Sequence, residues 1–272
     1  MKSKKKLVTE ETQPQLLKAD EIEAMWLLYS SSYENVRKEV FLKDLMEKNR
    51  VFVSRDCVSK QVKGFSTAAI YDHEHEGRKV RIYFSGDTMI SPEYWGTRSF
   101  HRAVLFRLLK EAVMNPFRPV YWFLICSGYR TYLSMARNIA EHWPHFQKPT
   151  PKWEKGLIDS LSAKRFGKDF VADRGVIRTE GVIVKTSIAP FTAEVMKIPE
   201  VQFFVRANPG YLQGDELAMI GKISLWGGFQ IVKKWVDRFV MSNIDAFLPP
   251  KVLRPKPAFV ITLAVLSLFQ II

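Results

Sequence analysis

The feature that most constrains the fold is a helical segment placed between two β-rich runs. Residues 79–90 (KVRIYFSGDTMI) and 120–127 (VYWFLICS) read as strands, and residues 100–113 between them carry apolar side chains at helical spacing. A helix that connects two neighbouring strands of one sheet is a crossover, which makes those strands parallel. The sequence therefore predicts one parallel pair in an otherwise antiparallel sheet, with a cleft where the pair diverges.

The remaining segments of the first half complete this sheet. Apolar spacing predicts two amphipathic helices at 20–33 and 36–49 and a further helix at 129–143. Short β-rich runs separated by charged or turn-forming residues predict three consecutive antiparallel strands at 50–56, 63–72 and 79–90. The predicted order of elements is thus ααβββαβα.

The charge balance limits the partners of the chain. Lysine and arginine outnumber aspartate and glutamate by 41 to 28, a net charge of +13, so the surface attracts anions such as phospholipid headgroups or a phosphorylated cofactor. The basic residues are scattered and no nucleic-acid reading motif is present, so we expect no nucleic-acid partner.

Two further features point to the cytoplasmic side. The two cysteines, Cys57 and Cys126, lie in apolar surroundings, which indicates reduced thiols rather than a disulfide scaffold. Residues 1–15 contain a basic run without a following apolar region, so they do not read as a secretory signal. We therefore expect a cytoplasmic domain.

The turn between the strand at 79–90 and the crossover helix, within residues 92–105 (PEYWGTRSFHRAVL), is the first candidate site. Successive backbone N–H groups at a helix N-terminus bind phosphate, and glycine lets the backbone approach closely. The turn has one glycine, Gly96, and Ser99 is placed to cap the helix. The alternative is an ordinary strand-to-helix turn, in which the bulk of Phe100 blocks a phosphate. The candidate ligands are the N–H groups of Thr97, Arg98 and Ser99, with Arg98 or Arg102 adding charge.

With this turn and this element order, residues 20–145 resemble the GNAT superfamily of acyltransferases, which use acyl-CoA. The resemblance implies an α/β fold with a GNAT-like mixed, mostly antiparallel sheet flanked by helices, and acyl-CoA or an acyl carrier protein thioester as substrate. The chain departs from the family pattern, Gln/Arg-x-x-Gly-x-Gly/Ala: Trp95 stands where arginine is common, and bulkier residues replace glycines after Gly96. The cofactor-binding residues that the resemblance implies are Ile90, Gly96, Thr97, Arg98, Ser99, Arg102 and Ser127.

The catalytic residues carry over less directly. Ser127 takes the place of the family's asparagine, and Ser134 that of a tyrosine that often protonates the leaving thiolate. Tyr129 and Tyr132 are nearby substitutes, although tyrosines at this helical spacing also serve as packing residues. Asp87, near the end of the strand at 79–90, is the candidate general base. Its alternative role is to close a bulge or cap a turn.

Two histidine pairs invite a metal interpretation, which we do not adopt. His73 and His75 precede Gly77 as at a hairpin tip, and His142 and His145 lie at a helix end broken by proline. Zinc needs three or four converging ligands, and no cysteine joins either pair. We therefore expect no metal.

The second half departs from a minimal acyltransferase. Residues 145–200 read as a polar, basic insertion with partial helical character, expected to overhang the acceptor side of the cleft. Its basic residues suggest an acidic or lipid-bound acceptor. Residues 200–225 read as a final hairpin: Val201, Phe203 and Val205 alternate in one arm, and a Pro-Gly turn leads to the other, with Leu217, Met219 and Ile223.

The C-terminal region has two apolar patterns. Residues 231–240 place apolar side chains on one helical face and charges on the other, which suits either core packing or a membrane surface. Residues 258–272 carry no charge and span roughly 22 Å as a helix, short of the roughly 30 Å hydrocarbon core. The basic residues Lys251, Arg254 and Lys256 precede them, so we predict a membrane-associated tail or transmembrane helix, with a buried terminal helix as the alternative.

These features give one domain with appendages. The predicted organisation is a basic flexible N-terminus at 1–19, a GNAT-like domain at 20–245 and a hydrophobic C-terminal tail at 246–272. The expected function is transfer of an acyl group to an amine or hydroxyl acceptor, a small molecule or a lipid, at the membrane surface. The alternative is a non-catalytic GNAT-like scaffold that binds an anionic ligand or partner.

Overall fold

The structure is a computed structural model that describes residues 6–97, 99–178, 183–184 and 191–224. The chain separates into two units, residues 1–223 and 224–272. Every helix and strand described below belongs to the first unit.

The secondary structure follows the predicted order closely in the first half of the chain. The strands are β1 Leu7–Thr12, β2 Arg50–Asp56, β3 Val62–His75, β4 Arg78–Ile90, β5 Val120–Cys126, β6 His142–Trp143, β7 Phe170–Val171, β8 Val176–Ile177 and β9 Glu216–Ile223. The helices are α1 Ala19–Ser32, α2 Lys38–Met46, α3 Ser99–Met114, α4 Tyr129–Asn138, α5 Lys152–Phe166 and α6 Pro199–Ala207. A separate two-stranded pair joins Tyr33–Glu34 to Ile183–Val184.

The main sheet has the strand order β1-β2-β3-β4-β5-β9-β8-β7, with β6 also pairing with β9. Strands β4 and β5 are parallel, from Arg81 opposite Val120 to Phe84 opposite Phe123. The other strand pairs of the described sheet are antiparallel. The predicted fold class, a mixed and mostly antiparallel sheet flanked by helices, is confirmed.

The β3–β4 hairpin shows how local sequence sets the register. Its two central residues, Glu76 and Gly77, have φ angles of 49° and 73°. Two consecutive positive φ angles define the tight turn whose twist matches that of paired strands, and glycine adopts this conformation without strain. The hairpin tip predicted beside His73 and His75 is therefore present.

Helices cover both faces of the sheet. Buried side chains of α1 and α2 pack on β2, β3 and the end of β4, and those of α5 pack on the same face around Phe84 and Phe123. The opposite face carries α3, whose Glu111 pairs with Arg81 of β4, and α4, which lies against Gly221 of β9. The sheet is thus a buried layer between two helical layers.

The flexible N-terminus predicted at 1–19 is wrong for Leu7–Thr12, which forms the edge strand β1. This strand buries little apolar surface, so its apolar pattern is weak. Ion pairs hold it instead: Glu10 pairs with Arg55, and Glu11 pairs with Arg50. Charged side chains are common on edge strands because they discourage pairing with other chains.

The predicted final hairpin is also wrong in its first arm. Residues Pro199–Ala207 form helix α6, and only the second arm is a strand, β9. Proline is favoured in the first turn of a helix, and Val201 and Phe204 are buried at the spacing of one helical turn. Apolar residues at 201, 203, 204 and 205 cover a broad face of this short helix, and three of them alternate in sequence as they would in a strand.

Part of the predicted insertion, residues 145–200, belongs to the core of the fold. Helix α5 lies within it, and Leu157, Ile158 and Leu161 are buried against the sheet. This part of the insertion is therefore a core layer, and the basic end of α5 carries Arg165 towards the diverging ends of β4 and β5.

The membrane prediction is not settled by the described part of the chain. No helix among the described residues is long and apolar enough to cross a bilayer. The amphipathic segment 231–240 and the tail 246–272 lie outside the described residues.

The role of α5 can be tested with a matched pair of substitutions. Leu157→Ala removes a fully buried side chain and is expected to lower the free energy of unfolding by about 2–5 kcal/mol. Leu27→Ala, at a helical leucine that is 59% exposed, should change it by less than about 0.5 kcal/mol. Urea denaturation of both variants measures the difference, and equal small losses would show that α5 is not part of the core.

Candidate active site

The candidate site lies where β4 and β5 separate. Their parallel pairing ends at Phe84 and Phe123; beyond this point β4 pairs with β3 and β5 with β9. Trp122 Nε1 donates a hydrogen bond to Ser85 Oγ at 2.7 Å and closes the base of the gap. The ends of both strands and the start of β9 therefore surround one opening.

A β-bulge places Asp87 at this opening. The register with β3 shifts between Ser85 and Thr88, so Gly86 and Asp87 lie opposite the single residue Thr67. A Cβ atom at Gly86 would lie 2.3 Å from Thr67 Oγ1 and 2.7 Å from Lys48 Cε, so any larger residue there would require these two side chains to move. The bulge redirects the side chain that follows, which is Asp87.

Asp87 has an unusual electrostatic environment. Burial raises the pKa of its carboxyl to about 7, and the negative charge of Asp44 adds to this effect. The positive charges of Lys48 and Arg165 oppose it. A carboxyl group with a pKa near neutrality exchanges a proton readily at physiological pH, as a general base requires.

Glu216, the first residue of β9, is a second carboxyl group of the same kind. Burial raises its pKa to about 7, and the charges of Asp87 and Asp44 raise it further, against a hydrogen bond from Ser127. Ser127, just beyond β5, donates this bond from Oγ to Glu216 Oε1. Asp87 and Glu216 therefore titrate as an interacting pair.

Two tyrosines at the end of α1 border the carboxyl pair. The Tyr33 side chain hydrogen-bonds with Ser127, and burial, followed by the charges of Asp87 and Glu216, raises the pKa of its hydroxyl well above its usual range. The rings of Tyr29 and Tyr33 lie 4.9 Å apart, and burial raises the pKa of Tyr29 in the same way. Both hydroxyls stay protonated, and a hydrogen-bonded chain runs from Tyr33 through Ser127 to Glu216.

Two cations balance the carboxylates. The Lys48 side chain is 1% exposed, pairs with the Asp44 carboxylate and donates to the Asp44 carbonyl at 3.1 Å. Burial lowers the pKa of Lys48 despite these partners. The Arg165 guanidinium lies 4.0 Å from the centre of the Phe84 ring and 3.5 Å from Asp44 Oδ1. Helices α2 and α5 thus bring positive charge to the opening.

The turn after β4 is held by side-chain hydrogen bonds. Tyr94 Oη donates to Asp56 Oδ2 at 2.8 Å, and Trp95 Nε1 donates to the Ile90 carbonyl at 2.9 Å. Gly96 has a φ of 83°, and nothing lies within 4 Å of a Cβ atom built there, so the backbone is open on this side. The turn therefore presents a fixed, accessible backbone next to the start of α3.

The predicted phosphate ligands fit an anion in part. The Thr97 N–H donates to the Tyr94 carbonyl at 3.1 Å, so the turn itself uses this group. Thr97 Oγ1, by contrast, is buried and has no partner among the described residues. Arg102 is exposed one turn into α3, whereas Arg98 lies outside the described residues. Thr97 Oγ1 and Arg102 are the groups here that suit a phosphorylated substrate.

Ser99 makes a different contact from the predicted one. Its hydroxyl lies 2.8 Å from Thr9 Oγ1, which in turn lies 2.8 Å from Ser54 Oγ. The side chain thus ties the start of α3 to the edge strand β1. The backbone N–H of Ser99 remains the candidate ligand.

The two candidate tyrosines of α4 lie in aromatic packing. Tyr132 is fully buried, donates a hydrogen bond to the Pro144 carbonyl at 3.2 Å and contacts the rings of Phe203 and Phe204. Tyr129 is buried beside Phe191. Their contacts are with the segments around α4 and α6, whereas the carboxyl pair interacts with Tyr29, Tyr33 and Ser127. The packing alternative describes both residues.

Sequence reasoning thus found Asp87 and Ser127 but missed their neighbours. Glu216 was read only as part of a hairpin arm, although a lone acid that opens an apolar strand (ELAMIGKI) is a signal in itself. Tyr33 lies just after α1, Lys48 just after α2 and Arg165 within α5, and only the tertiary fold brings them together. No group of three or more potential metal ligands is arranged to hold an ion in the described parts of the chain.

Comparison with known proteins finds structural likeness only. No family model matches the chain, and no curated protein matches it. A probable N-acyltransferase from Enterococcus faecalis V583 is 16% identical, with 48% of this chain and 32% of that chain covered and a TM-score of 0.35. A GCN5-related N-acetyltransferase from Kribbella flavida is 14% identical, with 51% and 34% covered and a TM-score of 0.37.

A third structure, an IAA acetyltransferase from Bacillus cereus ATCC 14579, is 8% identical, with 80% of this chain and 100% of that chain covered and a TM-score of 0.36. The chain spans about a third of the length of the first two structures, at 32% and 34%. At TM-scores of 0.37 or below, these similarities carry no argument about activity.

The carboxyl pair gives a test that needs no substrate. Both groups have pKa values of about 7 in the folded chain, above their ordinary values, so the folded chain binds more protons than the unfolded chain between pH about 4 and about 7. The free energy of unfolding should therefore fall as the pH rises through this window. Asp87→Asn should flatten this dependence and lower the pKa of Glu216, as measured by urea denaturation and by NMR of labelled carboxyl carbons.

Asp72→Asn is the matched control, since Asp72 is an exposed carboxylate paired with Arg81 and Arg118. It should leave the titration of Glu216 unchanged. A Glu216 pKa that does not respond to Asp87→Asn would show that the two carboxyl groups do not interact.

Proposed function

We propose that this chain is an acyltransferase that moves an acyl group from acyl-CoA to an amine acceptor. The observation that carries the proposal is the pair of interacting carboxyl groups, Asp87 and Glu216, with pKa values of about 7 at the point where β4 and β5 separate. An amine is favoured over a hydroxyl because buried carboxylates attract a cationic acceptor and can accept its proton. A thioester on acyl carrier protein is the alternative donor.

The proposed reaction begins with one proton on the Asp87–Glu216 pair: Glu216 is protonated and Asp87 is ionised. An acceptor that arrives as an ammonium ion first releases one proton to solvent, and the Asp87 carboxylate accepts the second proton from the free amine as the new nitrogen–carbon bond forms. The carbon–sulfur bond breaks, and the thiolate receives a proton from the Ser127 hydroxyl, which turns from Glu216 towards the sulfur. The protonated Glu216 carboxyl group then donates its proton to Ser127 Oγ. Amine and thioester thus become amide and thiol, and the proton on Asp87 returns to Glu216 through solvent.

The remaining groups have supporting roles in this proposal. Tyr33 keeps Ser127 oriented through their hydrogen bond. Lys48 and Arg165 limit the rise in the Asp87 pKa, so that a substantial fraction of Asp87 is ionised at neutral pH. Thr97 Oγ1 and Arg102 are placed to bind the phosphates of the donor at the turn after β4.

The direct test is thiol release from acetyl-CoA and longer acyl-CoA thioesters with a panel of primary amines and alcohols. We expect turnover with amines and a bell-shaped dependence of kcat on pH, centred near the pKa of about 7 shared by the pair. Asp87→Asn should remove the rising limb and lower kcat by roughly 10²- to 10⁴-fold. Asp72→Asn, at an exposed carboxylate, should behave as the parent chain.

A non-catalytic scaffold that binds an anionic ligand is the second candidate. It is favoured by the turn, where the Thr97 N–H is already used by the Tyr94 carbonyl. Both candidates predict the same calorimetry of CoA binding, in which Arg102→Ala weakens binding and Lys110→Ala, two helical turns further on, does not, so turnover separates them. Binding of CoA without turnover under any pairing of donor and acceptor would favour the scaffold.

We further propose that the C-terminal tail anchors the protein to a membrane, where an acidic or lipid-bound acceptor is available. The proposal rests on the uncharged residues 258–272 and the basic residues before them. Burial of these apolar side chains in hydrocarbon contributes several kcal/mol, whereas the basic cluster adds roughly 1 kcal/mol per charge at an anionic surface.

Truncation after Lys256 should therefore release the protein from a membrane fraction, while high salt should leave the full chain bound. Sedimentation of membranes from cells that express each form measures the distribution. A truncated protein that aggregates, together with a full chain that never sediments with membranes, would show that residues 258–272 form a core element.

A further inference from the structure

The outer face of α3 and the loop after it carry four exposed apolar side chains. Phe106, Val113, Met114 and Phe117 are 58%, 62%, 66% and 98% exposed. Phe106 and Val113 are seven residues apart and therefore lie on one line of the helix, and Met114 and Phe117 continue it at the helix end. We call these four residues the α3 apolar face. Large apolar groups clustered in this way mark an interaction surface.

The exposed charges on α3 that have no ion pair among the described residues are of one sign. Arg102 and Lys110 lie four residues before and after Phe106, are exposed and have no ion pair among the described residues. The only acid in residues 99–119 is Glu111, which is buried on the opposite side of α3 and paired with Arg81 and Arg107. The α3 apolar face is therefore flanked by the exposed cations Arg102 and Lys110, and the carboxylates that reach this segment from other elements, Glu11 and Asp72, are each paired with arginine.

We propose that the α3 apolar face docks on the surface of an anionic lipid bilayer. The exposed side of a single helix is convex, and a bilayer interface accepts aromatic and aliphatic side chains flanked by cations without a matching shape. A stable protein partner would have to cover roughly 800 Å² with complementary packing. A second copy is disfavoured because the chain carries a net charge of +13 and would present the same cations.

The proposal concerns α3 alone. It does not rest on acyl transfer or on residues 258–272, because it is read from side chains at a single surface. It differs from the tail proposal in its chemistry: docking of α3 requires anionic lipid, whereas insertion of an uncharged segment does not.

A fluorescent probe placed on the face gives the test. In the full chain with Cys57→Ser, an environment-sensitive fluorophore is attached at Phe117→Cys, while the buried Cys126 stays unlabelled. Its emission should shift to the blue on vesicles of phosphatidylcholine with phosphatidylserine, and not on phosphatidylcholine alone. The matched control is the same label at Val58→Cys, which is 89% exposed in the turn after β2 and should not respond.

Charge reversal supplies the second arm. Arg102→Glu with Lys110→Glu should lower partition onto the phosphatidylserine vesicles, read from the probe at position 117, by roughly tenfold or more. Arg37→Glu with Lys148→Glu changes the net charge equally at exposed positions outside α3 and should have a much smaller effect. Circular dichroism confirms that both variants are folded.

Three outcomes would overturn the proposal. A probe at 117 that is already shifted without vesicles would show that the chain itself or a second copy covers the face. A probe that remains in water while the chain floats with phosphatidylserine vesicles would assign binding to another segment. An equal shift on both kinds of vesicle would show that the cations do not determine docking.

Discussion

The parallel pairing of β4 with β5 is the constraint on which the candidate site depends. Hydrogen bonds hold these strands together only as far as Phe84 and Phe123, and each strand then follows a different neighbour. Because the separation lies inside a two-sided helical sandwich, polar groups at its edge are shielded from water without being part of the core. Burial, the first cause of the raised pKa of Asp87 and Glu216, is thus a consequence of strand topology.

The arrangement of charge follows from the same geometry. Carboxyl groups without counter-charges would remain protonated well above neutrality in such a place, because desolvation penalises the ionised form. Lys48 and Arg165 approach from α2 and α5, and both cations lie over the Phe84 ring. The last paired residue of β4 therefore also supports the side chains that keep the Asp87 pKa near 7. Phe84 is thus both the residue at which β4 and β5 separate and the ring over which the two cations lie.

The sequence predicted this framework because periodicity and turn chemistry are local. The crossover, the hairpin at Gly77 and the position of Asp87 each follow from a few adjacent residues. Glu216 was not predicted as a partner of Asp87, since its proximity comes from β9 pairing beside β5, about ninety residues after it in the chain. Strand β1 and helix α6 were missed for opposite reasons: β1 depends on ion pairs rather than apolar burial, and the short α6 imitates a strand pattern.

The turn after β4 keeps its conformation with a single glycine. Glycines make such a turn possible by allowing unusual backbone angles. Each glycine also loses more conformational entropy on folding than other residues do. Here a single glycine, Gly96, takes the positive φ, while Tyr94 and Trp95 fix the flanking residues through hydrogen bonds to Asp56 and Ile90. Side-chain anchoring thus replaces backbone freedom. An anion that binds Thr97 Oγ1 or Arg102 would meet a turn that is already ordered, so little conformational entropy would be lost on binding.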